Sequence, residues 1–368
     1  KILFSADLPV GGRYYVKEVQ APAGFVTTGE VQEFDFTYAG EDQAEVMFDF
    51  IFENEPTIVE ITKSDLTTGE ELPGAKLQVT DKDGNVVDEW ISGTTPHVIR
   101  ELETGREYTL TEKIPADGYV TAESITFTVE NTAEVQKVEM KDDVTKVQIS
   151  KVDMTDGSSE IEGAKLYILN ENNEVMESWT SGKEPHYVEK LPVGTYTLLE
   201  ESAPKGYIIS NKVKFTVKDT GEIQSVKMED DQARGRVILN KTDKDTKKPM
   251  KGVEFALCDS KGKVLETLVT DSAGHAESKE YPIATFKNGA YGKQIVYILK
   301  ETKTLEGYKL DKTEHKVKFS YVDDKTPVLE YKINLINEKI PEEQPETPST
   351  PGSSAPDSPS SAQNTPTS

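Results

Sequence analysis

Four times in this chain a tyrosine is followed four positions later by a glutamate, and then by a Pro/Gly turn that closes on an aromatic ring. Tyr14 and Glu18 precede Ala21-Pro22-Ala23-Gly24-Phe25, and Tyr108 and Glu112 precede Ile114-Pro115-Ala116-Asp117-Gly118-Tyr119. Tyr196 and Glu200 precede Ser202-Ala203-Pro204-Lys205-Gly206-Tyr207, and Tyr297 and Glu301 precede Thr304-Leu305-Glu306-Gly307-Tyr308. Each reads as a short buried strand ending in a carboxylate. Such a carboxylate is costly to bury unless another group pairs with it.

The recurrence divides the chain. Lys63 and Lys151, Glu112 and Glu200, and Asp142 and Asp230 are each 88 residues apart, whereas Trp90 to Trp179 and His97 to His186 are 89. One insertion and one later deletion cancel, as loop changes do around a fixed set of strands. Residues 1–57 read as the back half of a unit, with a strand at Glu33–Phe36 and a closing strand at Val46–Phe52, its front half lying upstream of Lys1. Residues 58–144 and 145–232 read as whole units, and 233–339 as a longer one whose extra length falls around Ala273–Lys293. Residues 340–368 are Pro, Ser, Thr and acid, with almost nothing to bury, and read as a disordered spacer. Short apolar runs rich in Val, Ile, Thr and Tyr, turns such as Asp83-Gly84, and no helical period predict an all-β fold, one small sandwich per unit.

Charge narrows the partners. With 42 basic and 66 acidic residues the formal charge is −24, which argues against nucleic acid and anionic membrane. No apolar run reaches the roughly 18 residues of a membrane helix. Cys258, the one cysteine, excludes an internal disulfide framework and reads as a buried strand thiol.

Three groups recur at fixed places in the complete units. A lysine lies in the opening strand (Lys63, Lys151, Lys241), a glutamate ends the central strand (Glu112, Glu200, Glu301), and an Asp or Asn lies in the closing strand (Asp142, Asp230, Asn337). Lysine to glutamate spans 49, 49 and 60 residues, and glutamate to the last group 30, 30 and 36. The partial unit has Glu18 and Asn54, again 36 apart, without the lysine. Ile61 shares a strand face with Lys63, Ile149 with Lys151, and Leu239 with Lys241, so each lysine points toward the core. Burial favours a neutral amine, which is a nucleophile, beside a protonated acid or a carboxamide, which is an electrophile. A buried glutamate beside them could polarise the carbonyl and relay protons. The product would be a side-chain amide, formed once per unit. A buried lysine–carboxylate ion pair without covalent chemistry needs the same residues and is the alternative.

Lys-x-Asp near the start, Gly-Ala-Lys-Leu after it, Tyr-x-x-x-Glu, the Pro/Gly-Tyr turn and a final Asn/Asp strand together resemble the collagen-adhesin B-type, or SpaA-type pilin, domains of Gram-positive surface proteins. The resemblance covers residues 1–339. It implies tandem transthyretin-like (reverse immunoglobulin-like) sandwiches with Lys–Asp or Lys–Asn isopeptide bonds promoted by Glu18, Glu112, Glu200 and Glu301, and no turnover enzyme. Asp142 and Asp230 stand where many relatives have Asn, and the neighbouring Asp143 and Asp231 leave the bonding position open by one residue. The implied protein is extracellular and anchored to peptidoglycan through a downstream sortase signal, with a host extracellular-matrix or glycan ligand taken by an upstream head. The expected role is a structural stalk, with a pilus shaft or accessory pilin, a host-ligand-binding repeat region and an appendage to a secreted enzyme as the alternatives.

Other signals carry less. Asp81-Lys82-Asp83-Gly84-Asn85 begins like a calcium loop, but Ser92 stands where the twelfth position needs Glu, so a hairpin is expected. His97 and His186, one per unit, make no metal site, and Trp90 and Trp179 read as packing aromatics. Tyr281-Pro282-Ile283-Ala284 lacks the lysine of a polymerising pilin motif. No cofactor and no metal are expected.

Overall fold

In the computed structural model, which describes residues 5–342, the second domain is a sandwich of two small sheets. One places Ile58–Asp65 between the antiparallel His97–Arg100 and the parallel Val135–Asp142. The other runs Val86–Ile91, Lys76–Asp81, Glu107–Ile114, Ile125–Thr128, all antiparallel. The third domain repeats the plan. Lys146–Asp153 lies between His186–Glu189 and the parallel Ile223–Gln232, and Val175–Thr180, Lys165–Leu169, Gly194–Ser202 and Val213–Val217 form the facing sheet. No helix occurs among the described residues.

The chain separates into two compact units. Among the described residues, one holds 5–234 with Pro282–Ile295 and Ser320–Leu329; the other holds Gly235–Tyr281, Val296–Phe319 and 330–342. In the last repeat, Arg234–Asp243 pairs with His275–Glu277 and with Val328–Asn337, and a second sheet holds Val264–Val269, Glu254–Cys258, Tyr297–Lys303 and His315–Val317. Cys258 is fully buried there. The extra length of the last repeat forms the hairpin Ala284–Lys287/Ala290–Gln294, which belongs to the first unit and lays Phe286 against Tyr207.

Period-two alternation explains the cores. Val59, Ile61, Leu77, Val79, Tyr108, Leu110, Val138 and Met140 point inward in the second domain, and Val147, Ile149, Leu166, Ile168, Tyr196, Leu198 and Met228 in the third. In the partial domain, Gly12–Lys17 pairs with Val31–Phe36. The expected strand Val46–Phe52 is not one: Phe48 and Phe50 stack their rings near Phe34, but the backbone joins no ladder. In the second and third domains the closing strand pairs in parallel with the opening strand, and among the described residues no opening strand lies beside 46–52. The expected spacer lies, from residue 343 on, outside the described residues.

A buried hydroxyl recurs at one place in each complete domain. Ser92 Oγ accepts the Ala75 N–H at 2.9 Å and donates to the Leu72 carbonyl at 2.6 Å. Ser181 does the same between Ala164 and Ile161, and Thr270 between Val253 and Met250. Each hydroxyl satisfies one donor and one acceptor that water does not reach. Replacing Ser181 by Ala should cost the third domain about 1–3 kcal/mol, read as a lowered transition in calorimetry of the full chain. Ser181→Thr, copying the last domain, should retain most of that stability.

Candidate functional site

The inward alternation that buries Tyr108 and Leu110 also buries Glu112, and a β-bulge follows it: Leu77 faces Glu112, whereas Lys76 faces Ile114. The same shift follows Glu200 and Glu301. An extra residue at this point bends the strand end and helps aim the carboxylate into the core. One oxygen of the carboxylate is then held by a backbone N–H ten residues on, Ala122 for Glu112 at 2.6 Å and Ser210 for Glu200 at 2.8 Å.

Parallel pairing of the first and last strands brings the other two groups to the glutamate. Lys63 faces Met140 and Asp65 faces Asp142, so Lys63 and Asp142 lie two steps apart on the same inward face. Lys63 Nζ is in direct contact with Asp142 Oδ1 and lies 2.8 Å from Glu112 Oε1. In the third domain Lys151 Nζ is in direct contact with Asp230 Oδ1, 3.1 Å from Glu200 Oε2 and 3.3 Å from Ser210 Oγ. In the last domain Lys241 Nζ reaches Glu301 Oε2 at 2.8 Å and the Ile336 carbonyl at 3.0 Å, and Asn337 Nδ2 donates to Glu301 Oε1 at 2.7 Å. There the glutamate stands between lysine and asparagine. The three lysines are 2%, 1% and 0% exposed. In the partial domain Asn54 Nδ2 donates to Glu18 Oε2 at 2.7 Å, which also accepts the Thr28 N–H.

The neighbouring carboxylates lie away from the lysines. Asp143 pairs with Lys146 at the surface, and exposed Asp231 bonds the Gln232 N–H. Burial pushes the Asp142 and Asp230 carboxyls up to about 7, against the lowering pull of the lysine beside each. Asp142 Oδ2 and Asp230 Oδ2, both buried, accept no hydrogen bond among the described residues.

A second set was not assigned from sequence. The Asp of each Lys-x-Asp accepts the hydroxyl of the turn tyrosine: Asp65 from Tyr119 and Asp153 from Tyr207 at 2.7 Å, Asp243 from Tyr308 at 2.6 Å. Its other oxygen caps the next turn, as Asp65 does for the Thr67 and Thr68 N–H groups. The tyrosine hydroxyl, helped by those turn amides, holds Asp65 and Asp243 well below the usual carboxyl range. The signal was present, since both Asp and Tyr recur with the lysine. The remaining motifs are structural: Asp81 folds the hairpin by accepting the Asp83 and Asn85 N–H groups, and His97 and His186 stack on Trp90 and Trp179. No cluster able to hold a metal occurs among the described residues.

Tandem all-β sandwiches, each with a buried Lys–Glu–Asp/Asn set joining first and last strands, define a class of repeated structural domain. The SpaA family model, a prealbumin-like fold domain, matches residues 57–144, 145–232 and 235–334, and the chain belongs to that family. Its fold is similar to that of the Bacillus anthracis TIE protein, with a TM-score of 0.51 and 23% identity over 78% of this chain and 52% of that one. The chain thus spans about half the length of that relative. BcpA, the major pilin subunit of Bacillus cereus, gives a TM-score of 0.44 and 17% identity over 77% of this chain and 99% of its own. A streptococcal ancillary pilin gives 0.31 and 14% over 78% and 99%. No curated protein sequence matches the chain.

A carboxyl raised by burial has a definite signature. Wherever its carboxyl is free, Asp142 binds its proton more tightly in the folded than in the unfolded chain, so the fold loses stability as pH rises from about 4 through about 7. In Lys63→Met the ammonium that lowers this carboxyl is gone, and the effect should grow. The urea midpoint of the second domain in that variant should be higher at pH 5 than at pH 8; the reverse order would show that the carboxyl is not raised.

Proposed function

We propose that this chain is a stretch of an extracellular, cell-wall-anchored surface protein. Its sandwiches form a structural stalk, and side-chain amide bonds Lys63–Asp142, Lys151–Asp230 and Lys241–Asn337 stabilise them. The observation that carries the reading is the threefold recurrence of a buried lysine Nζ beside a buried glutamate, with an Asp or Asn of the closing strand bonded to one or both.

The chemistry follows from the positions. The neutral amine of Lys63 adds to Cγ of the protonated Asp142 carboxyl; the nitrogen gives up a proton, and one carboxyl oxygen leaves as water. Glu112, within hydrogen-bonding distance of the amine, relays that proton and polarises the carbonyl. Glu200 does the same for Lys151 and Asp230. In the last domain the leaving group is ammonia, and Glu301 Oε1 sits on the Asn337 nitrogen that must take up a proton to depart. Each bond forms once and is not turned over.

The mechanical consequence follows from strand order. Force entering at Ile58 crosses at Lys63 to Asp142 and leaves toward the next domain, so residues 64–141 lie outside the force path. On the chain-entropy model, closing a loop of about 80 residues also stabilises by roughly 4.5 kcal/mol.

The intact mass of the purified chain tests the reading. Two Asp bonds and one Asn bond predict a mass about 53 Da below that of the plain sequence. Glu112→Ala should recover about 18 Da of it, with no change in the other two domains. A mass equal to that of the plain sequence would reduce the three sets to buried ion pairs and hydrogen bonds.

A further inference from the structure

The Pro/Gly turns have a common backbone and unequal surroundings. Gly24, Gly118, Gly206 and Gly307 have φ of +82°, +83°, +93° and +79°, and the aromatic after each returns its N–H to a carbonyl of the same turn, three residues back. A Cβ at Gly24 would lie 2.4 Å from the Glu101 carbonyl oxygen of the second domain. One at Gly118 would lie 2.3 Å from the Lys190 carbonyl oxygen of the third. At Gly206 it would meet the ring of Tyr291 at 2.4 Å, on the hairpin packed against the third domain. At Gly307 it would meet nothing within 4 Å.

Around the first two glycines the contacts repeat. The Gly24 and Gly118 carbonyls accept the N–H of Thr57 and Thr145, both at 3.0 Å. Those threonines, both fully buried at the domain boundaries, place Oγ1 between two carbonyls: 3.3 and 3.4 Å from Gly24 and Gly118 of the preceding domain, and 2.7 and 2.6 Å from Leu102 and Leu191 of the following one. Their carbonyls accept the Glu101 and Lys190 N–H groups, each at 3.1 Å. Glu101 and Lys190 have φ of +62° and +61°, a conformation disfavoured for residues other than glycine, and it turns the carbonyl toward the glycine. A second contact lies two residues beyond the aromatic, where the Thr27 N–H meets Asn131 and the Thr121 N–H meets Asp219, both at 2.9 Å. Lys190 Nζ adds a bond to Tyr119 at 2.6 Å and one to Asp65 at 3.2 Å, across the same junction.

We infer that the Pro/Gly-aromatic turn is a docking element for the following domain, and that through Gly24 and Gly118 it locks the first three domains into one rigid body rather than a string of free beads. The partner is the next domain of the same chain. Its loop presents a left-handed residue whose carbonyl occupies the place of the missing side chain. The side-chain amide bonds proposed above would act inside the complete domains and leave the angle between domains free; this junction sets it.

Gly118→Ala in the full chain tests the inference, with spin labels at Lys82→Cys and Glu171→Cys on the exposed hairpins of the second and third domains. The unaltered junction should give a narrow distance distribution, which Gly118→Ala should broaden. Amide exchange at Lys190, on the far side of the junction, should accelerate by at least about tenfold. Gly307→Ala carries the same backbone strain without a neighbour, and the Lys309 and Ile340 amides at its own turn should keep their protection. Thr145→Val, which removes only the bridging hydroxyl, should broaden the distribution without disturbing the turn. A distribution already broad in the parent, or one left narrow by both Gly118→Ala and Thr145→Val, would overturn the inference. So would loss of protection in Gly307→Ala equal to that in Gly118→Ala, since backbone strain alone would then account for the glycine.

Discussion

Everything in a complete domain is arranged around a lysine that has been taken out of water. Burying an ammonium and a carboxylate costs several kcal/mol per ion before their attraction is counted, and is tolerated only where geometry and hydrogen bonds are good. Lys63, Lys151 and Lys241 meet that condition because two sheets deliver partners from opposite sides. The closing strand supplies Asp142, Asp230 or Asn337, and the central strand of the facing sheet supplies Glu112, Glu200 or Glu301. A one-residue slip between opening and closing strands would turn the lysine to solvent and strand the carboxyl in the core, so the polar set also enforces the register.

The smaller polar devices serve the same end. Domains of this size have little apolar surface to bury relative to their chain entropy, and these use buried hydrogen bonds at fixed points to remove alternatives. The Asp–Tyr bond ties the end of the opening strand to the Pro/Gly turn, as Asp65 does with Tyr119. The buried hydroxyl of Ser92, Ser181 or Thr270 closes the loop before the second strand. At Thr57 and Thr145 a third hydroxyl carries the logic from one domain to the next. Each satisfies groups that would otherwise be buried and unpaired.

Much of this was legible in the sequence. Alternation and the 88-residue repeat yielded the all-β class, the tandem architecture and the inward direction of the lysines, because side-chain direction along a strand has a strict period of two. The repeat also brought Lys, Glu and Asp/Asn forward as a set. That Asp142 and Asp230, and not Asp143 and Asp231, lie beside the lysines came from the parallel register, which depends on partners more than 70 residues away. The strand expected at Val46–Phe52 failed for the same reason, since a ladder needs a neighbour and strand propensity alone does not supply one.

What the sequence determined by itself was local: which residues alternate, where turns fall, and which polar groups would be buried. The bulge that aims Glu112, the use of Asp65 and Tyr119 as a latch, and the seating of the Lys190 carbonyl against Gly118 were decided only in three dimensions. A positive φ explains a glycine within its own turn. The atom that occupies the space of its absent side chain belongs to another domain, and no local pattern encodes that contact.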